Sequence, residues 1–528
     1  MNNKSKYHVI WWWIAWLTTA VYLIQEWKVK WEQISIYEKA KRMWWALDAR
    51  DSNKAWWYIM RWVRMFDWTS FTSTYDIMSR IPELNKKHET VKDKYTRFNK
   101  KNEIYFHARL LKNKKALDQR PLKLNIKDKI KLMGLLIKKE KDIENIEIQN
   151  YFSKSFIKSN FRYEFSTVFA FQPWSSLIEF KRYILRFLQN FPYIDTLKTL
   201  DITPYNQYDS LILPIIEWLK KEWVNFENET KIINLDFNIT NNKKSISKII
   251  YKNEWKDEIK EKKVEEHDYI FITIWSMVAN SSIWTMIDSP KTDIEKKSNS
   301  WTLWEKIAVW NPDFWNPQNF SDNIEKSRWT SFTISFKWNK FLNLIEKYSN
   351  KKETTYWWFT IIDSNWMISL VIYFKPHFSN QPENITIWWG YWLSWENKGK
   401  YVKKKMSECN WKEILTELIY ELWFEEHLDE ILKTSNCIPC STPYVTSQFL
   451  PRKISDRPLV VPKTSINFAF IWQFCEIPED VVFTVDYSIR SAETAVYKLL
   501  NLNKKVTPIY KWYHNPKVLY NALKTLTR

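Results

Sequence analysis

Residues able to do chemistry gather first near the N-terminus. Trp11, Trp13 and Trp16 stand at the three spacings of a G-x-G-x-x-G turn, and Glu38 closes the next apolar run, Gln33-Ile-Ser-Ile-Tyr-Glu38. With glycine at those three positions this is a dinucleotide-binding turn. The first glycine makes the bend, the second lets backbone N–H groups meet a pyrophosphate, and the third lets helix and strand pack closely. An acid about 20 residues further on takes the ribose hydroxyls. Indoles there would block the same site. A second turn of this type follows if Arg42-Met-Trp-Trp45 reads R-M-G-G. Cys437-Ile-Pro-Cys440 has C-x-x-C spacing, but neither a second pair nor a nearby His follows, so no metal site is expected.

Composition gives the glycine reading its warrant. The 528 residues hold 35 Trp and only 3 Gly, whereas ordinary usage of ~7% would give roughly 37 glycines. Three glycines cannot supply the left-handed turns and close backbone approaches of a folded chain this long. The inconsistency disappears if the gene writes glycine with UGA and those codons are read as Trp. Gly134, Gly390 and Gly399 would then be the glycines written with GGN codons. Read literally, Tyr7 to Ile24 is an uncharged apolar stretch that suggests a membrane helix or signal segment. Read with glycine it becomes a short strand, a turn and a helix, and this second reading is adopted.

Around that turn the chain has the pattern of an α/β protein. Hydrophobic content of 45% and charged content of 27% exclude disordered and collagen-like classes. Residues 85–145 are Lys-rich and helical or loop-like, with weak helical periodicity from Leu122 to Lys141. Residues 160–225 read as helical, with an apolar stripe from Phe180 to Phe191. Strands are expected over 230–285, ending with Asp268 to Thr273, and again over 330–395. An amphipathic helix is expected over 401–435 and a strand from Ile466 to Ile471. Trp472 would then begin a second Rossmann-type turn towards a helix at Ile489–Leu500. The tail from Pro516 reads as a short basic amphipathic helix. The net charge of +20 fits a membrane surface, or simply a Lys-, Ile- and Asn-rich low-GC genome; no nucleic-acid motif is visible and no nucleic-acid partner is expected.

With glycine restored, long runs resemble the oleate hydratases, the myosin-cross-reactive antigen family of FAD-dependent fatty acid hydratases. They include VIWWWIAWLTTAVYLI at 9–24, RWVRMFD at 61–67, FAFQPWSSLIEFKRY at 169–183, TPYNQYDSLILP at 203–214 and IWQFCEIPEDVVFTVDYSIRSAETAVYKLL at 471–500. The resemblance also sorts the tryptophans. It has Trp at 174, 218, 301, 304, 329, 366 and 389, and Gly at 11, 12, 13, 16, 44, 45, 57, 62, 223, 315, 392 and 472.

The resemblance implies a Rossmann-type α/β fold with an inserted substrate-binding domain and a helical C-terminal part. The FAD-binding domain would take 1–85, 230–290 and 455–505, the substrate-binding and lid regions 86–229 and 291–454, and the basic tail 506–528. Tyr183 is implied as the proton donor. Met65 stands where the family has its water-activating Glu, Val63 where it has a glycine, and Asp67 is a substitute carboxylate. FAD contacts are implied at Trp11, Trp13, Trp16, Glu38, Trp45, Arg64, Ser276 and Trp472, and substrate-carboxylate contacts at Gln207 and His377. Val371 and Tyr373 replace a family Thr and Asn in that second group. A cytoplasmic homodimer touching the membrane peripherally, through the basic tail, is the expected state. Two other functions stay open: a flavin oxidoreductase of the amine-oxidase or desaturase kind, and a non-catalytic binder of fatty acid and membrane surface.

Overall fold

A computed structural model describes residues 5–10, 14–39, 49–51, 57–86, 88–102, 110–113, 115–118, 120–253, 258–273, 277–283, 299–309, 311–337, 344–345, 357–394 and 396–527. Five short strands form one all-parallel sheet. They are β1 (Tyr7–Ile10), β2 (Ile34–Tyr37), β3 (Asn225–Glu227), β4 (Tyr269–Ile272) and β5 (Phe468–Phe470), and their order across the sheet is β5-β4-β1-β2-β3. Every residue of β1, β4 and β5 except Tyr269 is buried, as expected for a parallel sheet covered on both faces. β1 lies between β2 and β4, so the strand order reverses there. In open α/β sheets that reversal leaves a crevice outside the strands' C-terminal ends, where dinucleotides bind.

The stretch Tyr7 to Ile24 is therefore a strand and then a helix, α1 (Ile14–Trp27). Among the described residues no helix is long and apolar enough to cross a membrane. Thr18 and Thr19 lie inside α1, and their hydroxyls donate back to the carbonyls of Ile14 and Ala15, which satisfies two buried polar groups without partners from elsewhere. A later helix, Val485–Leu499, crosses α1 and places Tyr497 edge-on to Tyr22 at 6.0 Å. The Thr484 hydroxyl accepts from the Tyr487 amide and caps its start.

A second sheet has eight strands, with Trp329–Phe336 paired on one side to Ser435–Thr442 and on the other to Thr386–Trp392. Its side chains alternate between two cores. Trp358, Val371 and Trp389 face the main core, while Trp357, Leu370 and Trp388 face a smaller one under the helix Trp411–Glu421. The expected helix at 401–435 is thus split, since Tyr401 to Asn410 lead in without α-helix and Leu428–Thr434 forms a separate short piece. The Phe180 region forms the helix Leu177–Arg186, continued by a tight turn over Leu188–Tyr193.

Candidate functional site

The segment Arg61–Asp67 is held in place by hydroxyls of the second sheet. The Met60 amide donates to Thr333 Oγ1 at 2.7 Å, and Ser331 Oγ donates to the Arg61 carbonyl at 3.1 Å. Phe66 and Asp201 then exchange backbone hydrogen bonds, both 2.8 Å. This path sets Arg64 and Met65 against the helix Leu177–Arg186. That helix has two working faces. Glu179, Arg182 and Arg186 make one, buried in ion pairs: Glu179 with Arg452 and Arg457, Arg182 with Glu140 and Glu476, Arg186 with Asp486. Phe180, Tyr183 and Phe187 make the other, packed among aromatic rings. The charged face clamps the helix to the 452–490 segment, so the aromatic face cannot turn away. Sequence reading missed this network, although its carboxylates and guanidinia lie at helical spacing within the EFKRY region.

Tyr183, Arg64, Met65 and Phe483 line one cavity of about 70 Å3. A second of about 30 Å3 shares Val63, Val168, Trp358 and Phe483 with it and is bounded by Trp62. The Tyr183 hydroxyl donates to the Val482 carbonyl at 2.5 Å. Burial pushes its pKa well above the ordinary phenol value; Glu179 and Asp480 push the same way, and the Arg64 guanidinium opposes them. Arg64 lies over the Trp62 ring at 5.3 Å and the Phe483 ring at 5.7 Å.

Asp67 also lines the cavity, but its carboxylate is already engaged. Oδ1 accepts from the Thr69 amide and hydroxyl, and Oδ2 from Ser70, Gln189 and Asn190. A carboxylate bound by five donors organises the turn after it, and its lone pairs are spent before a water arrives. The bond from Gln189 also ties it to the end of the Tyr183 helix.

Gln207 and His377 come together, though outside the lining of that cavity. The Asn206 amide donates to the His377 carbonyl at 2.7 Å, and Gln207 Nε2 reaches the Arg64 carbonyl at 3.5 Å. The His377 ring stacks on Tyr373 at 3.8 Å, and burial lowers its pKa to about 3, so it is neutral. Gln207 Oε1 and His377 Nε2 are buried without a hydrogen-bond partner. Two such orphaned atoms, one of them on the side chain that reaches the Arg64 carbonyl, are what an anchored polar ligand end would satisfy.

At the parallel sheet, Glu38 is buried directly after β2, and its carbonyl accepts from the Thr230 amide at 2.8 Å. Trp16 is buried in α1, edge-on to Phe226 of β3 at 6.1 Å. Trp472 follows β5 with a φ of 92°, and its amide donates to Ser491 at 2.6 Å. Glu38 and Trp472 thus lie at the C-terminal ends of their strands, around the crevice. Trp11, Trp13, Trp45 and Ser276 lie outside the described residues. The backbone fits a dinucleotide, because a φ of 92° is a glycine conformation placed where such a group needs close approach. All four cysteines are buried and free, and no metal-binding group of His, Cys, Asp and Glu occurs among the described residues.

Comparison with known proteins gives the family and the fold. A model of the MCRA family matches residues 7–497. An oleate hydratase of Streptococcus pyogenes serotype M49 (strain NZ131) is 32% identical over 513 residues, covering 95% of this chain and 86% of that protein. A linoleate hydratase of Lactiplantibacillus plantarum is 29% identical over 500 residues, covering 89% and 87%. Among solved structures, cyclohexylamine oxidase from Brevibacterium oxydans IH-35A superposes with a TM-score of 0.52 at 9% identity, over 95% of this chain and all of that one. A putrescine oxidase triple mutant superposes with a TM-score of 0.51 at 9% identity, over 94% and 99%. The last two likenesses concern the fold, which is the expected Rossmann-type α/β architecture.

Proposed function

The chain belongs to the MCRA family, and from that premise we propose that it is a fatty acid hydratase. It adds water across a cis double bond of an unsaturated fatty acid such as oleate or linoleate and releases a hydroxy fatty acid. The observation that carries this reading is the cavity joining Tyr183, Arg64 and Met65 beneath an aromatic wall. The Tyr183 hydroxyl gives its proton to one alkene carbon, water adds to the other, and the proton that the water sheds restores the phenol. Arg64 favours the transient phenolate, since a fixed positive charge in a dry site stabilises charge as it develops. Gln207 and His377 supply polar atoms for the carboxylate end. Purified protein with flavin and a reductant should convert oleate or linoleate to a hydroxy acid detectable by mass spectrometry. Absence of product across several C16–C18 substrates would overturn the assignment.

The cofactor in this reading is FAD, which Glu38 and the turn at Trp472 would hold at the crevice, with Trp11, Trp13, Trp16, Trp45, Arg64 and Ser276 as the further contacts that the family resemblance implies. When bound, the flavin would order and polarise the site, since hydration involves no net electron transfer. Met65 offers no carboxylate to the water, which favours a second reading, a flavin oxidoreductase. Substrate-driven bleaching of the flavin without hydroxy product would select it. A homodimeric state and peripheral membrane contact belong to the same proposal, with light scattering and vesicle flotation as their tests.

We further propose that many of the tryptophans are glycines in the living cell. Trp223, Trp315 and Trp472 have φ of 59°, 95° and 92°, and all three belong to the set that reads as glycine. Trp423, at 58°, joins them as a fourth. None of Trp174, Trp218, Trp301, Trp304, Trp329, Trp366 and Trp389, which read as true tryptophan, has a positive φ. Indoles of that second set at 174, 304 and 366 donate to backbone carbonyls. The acyl chain also needs the room: pockets for such ligands run to about 300 Å3 or more, and Trp62 borders the smaller cavity. TGA codons at 11, 13, 16, 62 and 472 with TGG at 174 and 366 would support the proposal; TGG throughout would end it.

A further inference from the structure

The helix Leu177–Arg186 also lines a cavity of about 200 Å3 that shares no lining residue with the Tyr183 cavity. At 3.6 residues per turn Lys181, Arg182, Leu185 and Arg186 span one arc of the helix, and Tyr183 falls outside it. Another wall is the tail from Ile509 to Tyr513, tied down where the Trp512 indole donates to Ser70 Oγ at 3.0 Å. Two of the four cations here are matched. Arg182 gives Nε and Nη2 to Glu140 and Glu476, and Nη1 to the carbonyls of Ile477 and Asp480. Lys511 pairs with Glu479 at 2.6 Å. The other two are not fully matched. Lys181 is buried, and its ammonium donates to the Lys138 carbonyl without pairing with any carboxylate. Burial lowers its pKa, and Glu140 and Glu479 oppose that from a distance. Arg186 is 3% exposed; its Nη2 serves the Ser70 carbonyl and Asp486, while Nε and Nη1 are buried without a hydrogen-bond partner. A buried cation that lacks partners is costly until something supplies them.

We infer that this cavity binds a small organic carboxylate, held by Lys181 and Arg186. Charge-assisted hydrogen bonds from an ammonium and a guanidinium to carboxylate oxygens are the strong kind. A single negative charge is the complement, because Lys181 is the one cation of the four without a carboxylate. A doubly charged phosphate would add a charge for Glu140 and Glu479 to repel. Leu136, Leu185, Ile509 and the rings of Tyr510 and Tyr513 provide apolar wall for a compact body beside the carboxylate. One water needs about 15 Å3 of such space, so the cavity admits several heavy atoms. It falls short of the about 300 Å3 or more of pockets for larger ligands, so a long acyl chain is not the occupant. Exposed Tyr510 and half-buried Lys511 mark the way in. A ligand bound there would brace the helix that carries Tyr183. The binding rests on these residues alone; its bearing on turnover rests on the hydratase reading.

The test is calorimetric titration of the full chain with benzoate, with benzamide as the uncharged control and inorganic phosphate as the second anion. Benzoate should bind and raise the melting temperature, as a ligand of the folded state does. Benzamide should bind at least about tenfold more weakly, since it forfeits the charge-assisted bonds. Lys181→Met keeps the packing of the stem and removes the charge, so it should weaken benzoate about tenfold or more. His377→Ala should leave benzoate affinity unchanged, because that ring lies outside this cavity. Four results would each overturn the inference: no benzoate binding by the unaltered protein, equal binding of benzamide, tighter binding of phosphate than of benzoate, or full binding by Lys181→Met. So would loss of binding in His377→Ala, which would place benzoate at the polar end of the substrate site. The benzamide and His377 arms decide the matter whether or not Lys181→Met folds. These readouts need no turnover, so they stand or fall apart from the hydratase assignment.

Discussion

Replacing Tyr183 by Phe tests the centre of the proposed chemistry. The ring environment survives, because Phe169, Phe171 and Phe449 pack at 5.1, 4.9 and 5.7 Å on a ring of the same size. The structural loss is one hydrogen bond, which leaves the buried Val482 carbonyl without its phenol donor and costs about 1–3 kcal/mol of stability. The catalytic loss is larger. A positioned acid contributes about 10²–10⁴ in rate, equivalent to about 3–5 kcal/mol in the barrier. Initial rates of hydroxy acid formation should therefore fall by at least about a hundredfold, with KM little changed and the fold intact by thermal melting. The acid must be protonated to act, and burial raises its pKa above the ordinary 10. Activity should therefore show no alkaline decline attributable to Tyr183 below pH 10. The linkage runs the same way: the stability that comes from the raised pKa is fully present below the unfolded value and is lost as pH rises through the folded one. A folded Tyr183→Phe protein that retains more than about a third of the rate would refute the assignment of the proton donor.

Four other outcomes can be measured. His377→Ala should raise KM for the free acid several-fold with kcat nearly unchanged, and the effect should be flat between pH 5 and 8, because the ring is already neutral with a pKa near 3; a methyl ester substrate should be indifferent to the change. Asp67→Asn should act on stability, since it disturbs five hydrogen bonds to the carboxylate. A loss of about 1.5–3 kcal/mol by denaturant titration is expected, with turnover per folded molecule little altered; a hundredfold loss of turnover at unchanged stability would instead make Asp67 the base. Protein made with Trp at every Trp position should bind flavin poorly by equilibrium dialysis, and glycine at 11, 12, 13, 16 and 472 should restore the flavin absorbance. Protein from the native host should have an intact mass below 64.7 kDa, and a mass at that value would refute the recoding.

Much of the fold was legible because the informative residues are local. Val9 and Ile36 sit in runs that only a buried parallel strand accommodates, and both are buried in adjacent strands with Val9 paired to Ile36. The helix at Val485–Leu499 was expected as the element that follows the turn at Trp472, although its start, four residues before the expected Ile489, is set by the Thr484 cap. The site was only partly legible. Tyr183, Met65 and Asp67 were named from local resemblance, and all three line one cavity. That Asp67 is saturated depends on Gln189 and Asn190, more than a hundred residues away, which no local pattern reveals. The same holds for the ion pairs that clamp Glu179 and Arg182 to residues beyond 450.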